Sequence, residues 1–169
     1  RGRIGRHRWA ALRPMWNMDL DSFKELYRQI PGYKPPVEDA WRLTGGNPSM
    51  LKYLYMAGWR VELVVRSLAE ERKLYSLASE LTSKEREGLE LALEDPDVLF
   101  REVELRPLLA KLVEANIVID GLYERTPELW VDTPPPERDL EAGIGRFIAW
   151  QTPLHREAVR QALQVTPRR

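Results

Sequence analysis

Trp41-Arg42-Leu43-Thr44-Gly45-Gly46-Asn47-Pro48-Ser49-Met50-Leu51 packs a helix end, a two-glycine break and a new helix start into one short stretch. Before the break, Val37, Ala40, Trp41 and Thr44 recur at helical spacing, and Gly45 or Gly46 can take the positive φ that ends a helix. After it, Asn47 is a good N-cap and Pro48 suits a first helical position, because that N–H would be unpaired anyway. Leu51, Leu54 and Tyr55 then continue an apolar stripe. The turn thus presents a helix N-terminus, with its free amides and positive dipole end, beside a flat proline ring, and such an end can accept an anion or a nucleotide. The same device also turns the corner of any compact helical hairpin.

Working outward, Asp19 to Ile30 reads as an amphipathic helix with Phe23, Leu26, Tyr27 and Ile30 on one face and a capping box between Ser22 and Glu25. Pro31-Gly32 stops it, and Pro35-Pro36 leads into the helix that ends at Gly45. From Trp59 to Leu81 the pattern of Val61, Val64, Val65, Leu68, Leu74, Leu77, Ala78 and Leu81 shifts phase near Glu70-Glu71-Arg72-Lys73, which predicts one kinked helix or two. A unit boundary falls between Glu71 and Thr82. The second unit opens on a capping box of Thr82 and Glu85, followed by Leu89, Ala92 and Leu93, and a short helix or turn around Phe100 and Val103. Pro107 starts a helix carrying Leu108, Leu109, Leu112 and Val113, and Asn116 ends it before the strand Ile117-Val118-Ile119. A second strand is expected at Arg146 to Trp150, and Thr152-Pro153 caps a closing helix with Leu154, Ala158, Val159 and Ala162. Three helices, a strand, a long connection and a strand are the plan of a winged helix, here with an enlarged wing that contains Trp130 and Thr133-Pro134-Pro135-Pro136.

The 169 residues are 43% hydrophobic, enough for one ordinary core or two small ones. Basic and acidic residues balance at 26 each, so no global charge argues for nucleic acid, although a local basic face is compatible with that total. No apolar run reaches the length of a membrane span and no signal peptide opens the chain, so a cytoplasmic location without membrane contact is expected. The absence of cysteine excludes disulfides, thiolate metal sites and a cysteine nucleophile, and two distant histidines, His7 and His155, argue against a histidine metal centre. Arginine outnumbers lysine and prolines are many, a bias compatible with a thermophilic source. Gly143-Ile144-Gly145 lacks the following Lys-Ser or Lys-Thr of a phosphate loop and precedes a strand. Glu94, Asp95 and Asp97 flank Pro96 and read as loop chemistry. With neither a phosphate loop nor a strand ending in paired acids, the chain is not expected to be an enzyme by itself.

Thr44-Gly45-Gly46-Asn47-Pro48 with its apolar helix resembles the glycine-x-proline motif in the helical lid of archaeal ATPases of the signal-transduction branch of the AAA+ superfamily. Gly5-Arg6 and Leu12-Arg13-Pro14-Met15 fit the order in which that family passes from its first sensor strand to the lid. Ala149-Trp150-Gln151-Thr152-Pro153-Leu154 is similar to the C-terminal winged-helix part of crenarchaeal members. The resemblance implies a mainly α fold, a small helical lid-like bundle followed by a winged-helix (α+β) domain. It divides the chain into a linker from an upstream ATPase core at 1–18, a lid at 19–78 and a winged helix with enlarged wing at 79–169. It implies an ATP or ADP site, with Mg only through that core, in which Pro48 packs on the base, Asn47 and Gly46 fix the turn, and Arg6 senses phosphate. The winged helix would relay nucleotide state to a partner.

Two other readings stand beside it. A stand-alone winged helix would bind duplex DNA through Arg106 and Lys111 on its third helix, with Arg156 and Arg160 on the last helix and the arginine-rich opening from Arg1 to Arg13 as further phosphate contacts. Glu114 on that third helix would repel phosphate. A protein-interaction module would instead dock a partner on the Trp130 to Pro136 wing, unless Trp130 folds back onto the core.

Overall fold

The computed structural model describes residues 15–122, 125–131 and 135–166. The chain is mainly helical, with nine α-helices and one two-stranded sheet among the described residues. Helix α1 (Leu20–Arg28) lies within the expected Asp19–Ile30 helix, but Ser22 is not its cap. Asp19 is the N-cap, and its carboxylate accepts from the Ser22 amide at 2.9 Å and from the Ser22 hydroxyl at 2.8 Å. Asp19 outcompetes Ser22 because an ionised carboxylate is the stronger acceptor at a helix N-terminus. Phe23 and Tyr27 of α1, Ala40 of α2 (Val37–Thr44) and Leu51 of α3 (Pro48–Met56) form one small core, with Trp41 edge-on to Phe23. On α3 the buried side chains are Met50, Leu51 and Leu54, whereas Tyr55 lies outside the stripe and is exposed.

The phase shift after Leu68 is a break between two helices. Helix α4 (Val61–Glu71) ends at Arg72, and Lys73 takes a left-handed φ of 54° before α5 (Leu74–Glu80). Helix α6 (Ser83–Ala92) carries the reciprocal Thr82–Glu85 box, with amide-to-side-chain bonds of 2.9 and 3.2 Å. Short α7 (Val98–Arg101) and a 3-10 turn lead to α8 (Arg106–Glu114), which Asn116 terminates at a φ of 57°. Strands β1 (Val118–Ile119) and β2 (Ala149–Trp150) pair antiparallel.

The second strand is shorter than Arg146–Trp150, and the cause is a single side chain. The Asp97 carboxylate, 3% exposed, accepts from the amides of Arg146 (2.7 Å), Phe147 (2.8 Å) and Ile148 (3.0 Å). Those amides are therefore turned into a carboxylate and away from a ladder partner. A Cβ on Gly145 would lie 2.3 Å from that carboxylate, and one on Gly143 would lie 2.8 Å from the Trp150 ring, so both glycines make room for packed neighbours. Trp130 is buried with Leu122, Ile144 and Ala149 and folds back onto the core, so the indole of the long connection is not available to dock a partner.

Helix α9 (Pro153–Val165) closes the molecule. Leu154, His155, Ala158, Val159, Ala162 and Leu163 form its buried face, and the small Ala158 and Ala162 allow close approach to the helices it crosses. It packs most extensively on α4 and also on α2, α5 and α6, so the largest core holds residues from Met50 to Leu163. Arg86 of α6 sits at this junction, 6% exposed. Its guanidinium donates to the carbonyls of Leu163 (3.0 Å), Thr166 (2.9 Å) and Ala78 (3.4 Å), bringing the ends of α5 and α9 to one charge. A cation at helix C-termini meets both their unpaired carbonyls and their dipoles.

Candidate functional site: the glycine turn

Gly45 is the left-handed C-cap of α2 at φ 57°, and its amide donates to the Trp41 carbonyl at 2.8 Å. Gly46 follows at φ 79°, and its position admits no side chain, since a Cβ there would meet the Met18 carbonyl oxygen at 2.3 Å and the Trp41 ring at 2.8 Å. The close approach is used: the Met18 amide donates to the Gly46 carbonyl at 3.1 Å. Asn47 then caps α3 with its side-chain oxygen on the Met50 amide (3.0 Å), and its own side-chain nitrogen donates to Asn17 (2.9 Å). Asn17 in turn donates to the Gln151 carbonyl at 3.4 Å, just before the cap of α9.

Most donors of this helix start are occupied. The Asn47 amide bonds Thr44, the Met50 and Leu51 amides bond the Asn47 side chain and carbonyl, and Pro48 has no N–H. The turn therefore offers little to a phosphate, whereas the Pro48 ring is exposed and held at the first helical position by a fixed cap. A flat apolar contact fits it better than an anion. Beside the turn a groove of about 890 Å³ is lined by Trp16, Trp41, Arg42, Gly45 and Pro153, among others. Gly45 sits close enough to α9 that a Cβ there would be 3.3 Å from the Pro153 ring.

Gly46, Asn47 and Pro48 thus belong to one ordered turn, with Gly46 buried, Asn47 half-buried and Pro48 exposed, while Arg6 lies outside the described residues. Asn17, Met18 and Trp41 complete the turn, and no sequence signal names Asn17 as the partner of a residue thirty positions away. The residues expected to serve DNA are differently disposed. Arg106 and Lys111 are exposed on α8, and Arg106 shares a concavity with Glu114 and Asp120. On α9, Arg156 donates to the carbonyls of Leu140 (2.9 Å) and Glu141 (2.6 Å), and Arg160 pairs with Glu157 and with Glu94 at 3.7 Å. Those two guanidinium groups are engaged in holding the fold. The Glu94, Asp95 and Asp97 trio is loop chemistry: Asp97 holds backbone amides, and Asp95 holds the Asp97 amide, Arg101 and Arg138. Among the described residues no group of acids or histidines is arranged to hold a metal ion, and no helix is long and apolar enough to cross a membrane.

A family profile described as an ATPase domain predominantly from Archaea matches residues 2–54, roughly the first third of the chain. The match takes in the glycine turn and most of α3, and it supports a relationship to that ATPase family. No curated protein and no solved structure matches the chain.

Proposed function

We propose that this chain supplies the nucleotide-facing lid of an archaeal P-loop ATPase of the AAA+ signal-transduction type. The observation that carries the reading is the coincidence of the family match with a turn whose proline is exposed and rigidly presented. The P-loop, the magnesium ligands and the attacking water would be supplied by an ATPase core, and the base of ATP or ADP would lie between that core and Pro48. Gly46 and Asn47 act by position, holding the ring still. Residues 79–169 would serve as a winged-helix-like relay. The Asn17 bridge and the contact of Gly45 with Pro153 supply a route, because a tilt of the turn cannot leave the start of α9 unmoved. Nucleotide state would shift the angle between the parts only as far as its contacts differ between ATP and ADP.

The test is equilibrium binding of a fluorescent ATP analogue to a polypeptide that joins this chain to its ATPase core, compared with the Pro48→Ala variant. Loss of the ring contact is worth roughly 1 kcal/mol, so about fivefold to tenfold weaker binding is expected. Unchanged affinity with an intact fold would remove Pro48 from the nucleotide site.

A further inference from the structure

Phe100 of α7 and Phe147 of the turn after Gly145 stack with ring centroids 4.5 Å apart and planes 16° from parallel. Such a pair normally hides in a core, yet Phe100 keeps 44% of its surface in water. The backbone beneath it is fixed, since Asp97 at the start of α7 holds the Arg146, Phe147 and Ile148 amides. One guanidinium group lies against the rings and three more hold the backbone and the carboxylate beside them. Arg146 lies 5.3 Å from the Phe147 centroid, and Arg125 donates to the Arg146 (3.0 Å) and Gly145 (3.1 Å) carbonyls. Arg101, adjacent to Phe100, and Arg138 share the Asp95 carboxylate at 2.9 and 3.5 Å, and each side chain is about half exposed.

The carboxylates nearby are largely committed: Asp97 is occupied by backbone amides, Asp95 is divided between Arg101 and Arg138, and Glu94 pairs with Arg160. Glu102, Glu137 and Asp139 flank Arg101 and Arg138 in the sequence and are exposed, so the cation least offset is Arg146, exposed beside the rings and without a carboxylate partner among the described residues. We propose that this cluster binds single-stranded nucleic acid, with an unpaired base stacking on Phe100 and phosphates lying against Arg146, Arg101 and Arg138. Exposed aromatic rings interleaved with arginine suit a strand whose base faces are open, because stacking tolerates any sequence and the guanidinium groups follow the backbone. A duplex hides its base faces except at its ends. An acidic peptide would satisfy the arginines and leave the ring unused. The proposal concerns a surface remote in sequence from the glycine turn and does not rest on the nucleotide reading.

The test is an anisotropy titration of the 169-residue chain with a labelled oligothymidylate of ~12 nucleotides, a length within the range that a small binding surface covers. A duplex of equal length and heparin serve as competitors. The single strand should bind more tightly than the duplex, with a log affinity against log salt slope of roughly −1.4 to −2.8 for two to four phosphates. Phe100→Ala should weaken binding about tenfold or more, the loss of one stacked base. Phe100→Trp should keep the affinity, with its emission quenched on binding. Arg146→Ala should flatten the salt slope by about 0.7, one phosphate. Thermal melting of each variant checks that it is folded. No binding at low salt, a preference for duplex, or equal competition by heparin with no effect of Phe100→Ala would each overturn the proposal.

Discussion

Gly46 illustrates how one hydrogen atom in place of a side chain decides a site. Its positive φ alone would cost an alanine about 1 kcal/mol, and its Cβ would also sit inside contact distance of a backbone carbonyl and an indole. The carbonyl belongs to Met18, which is itself bonded back to Gly46, so it cannot retreat without breaking that pair. Gly46→Ala should therefore destabilise the chain by about 2–4 kcal/mol, read as a fall in the urea midpoint at unchanged slope. A loss below about 1 kcal/mol would mean that the turn yields easily, and a yielding turn cannot hold Pro48 in register. The two glycines announce themselves in the sequence because chain direction is a local matter. What fills the space around them does not, since Met18, Asn17 and Trp41 reach the turn from other segments.

At the scale of elements, the helix starts at Asn47, Thr82 and Thr152 were legible because a cap and the amide it serves are three residues apart. The cap of α1 is Asp19 and not Ser22 for a related reason: two cap-competent residues stand close together, and local spacing does not choose between them. Partners separated by long stretches of chain left no trace. Asp97 meets Arg146 from 49 positions away, which shortens β2 in a way that no apolar pattern records. Arg86 meets Leu163 across 77 positions and reads in the sequence as an ordinary surface arginine of α6. Its removal should be felt where α5 and α9 end. Arg86→Ala leaves buried helix-end carbonyls unpaired, an expected loss of about 2–4 kcal/mol, with faster hydrogen exchange in the last turn of α9. Arg86→Lys should recover only part of it, because one ammonium cannot reproduce the fork that spans Leu163 and Thr166. Full recovery by lysine would reduce the role to charge alone.

At the scale of the molecule, α9 makes stability a shared property, because its buried face touches helices from early and late in the chain. His155 lies in that face, 3% exposed, with its Nδ1 within 2.8 Å of the Thr152 hydroxyl and its Nε2 without a partner. Burial, with the charge of Arg72 adding to it, pushes its pKa from the ordinary 6.5 down to about 4. Above pH 6.5 the imidazole is neutral in both folded and unfolded chains and contributes no pH dependence. As pH falls from 6.5 toward 4, the unfolded chain takes up a proton that the folded chain refuses, so stability drops, and the full penalty is reached below pH 4. Relative to neutral pH, the loss at about pH 5 should be roughly 2 kcal/mol. Carboxylates held below their usual range, Glu85 by the Thr82 amide and Asp95 by Arg101 against its burial, begin to lose their stabilisation only as pH falls to their ordinary values of 4.5 and 3.8. The interval from pH 7 to 5 therefore isolates the histidine. His155→Asn, which can keep a polar contact to Thr152 but does not titrate, should flatten the dependence of the urea midpoint on pH across that interval while leaving the acid limb below it. An identical slope in the variant and the parent chain would show that the imidazole is protonated without cost, and that the junction of α9 with α4 opens more readily than its packing implies.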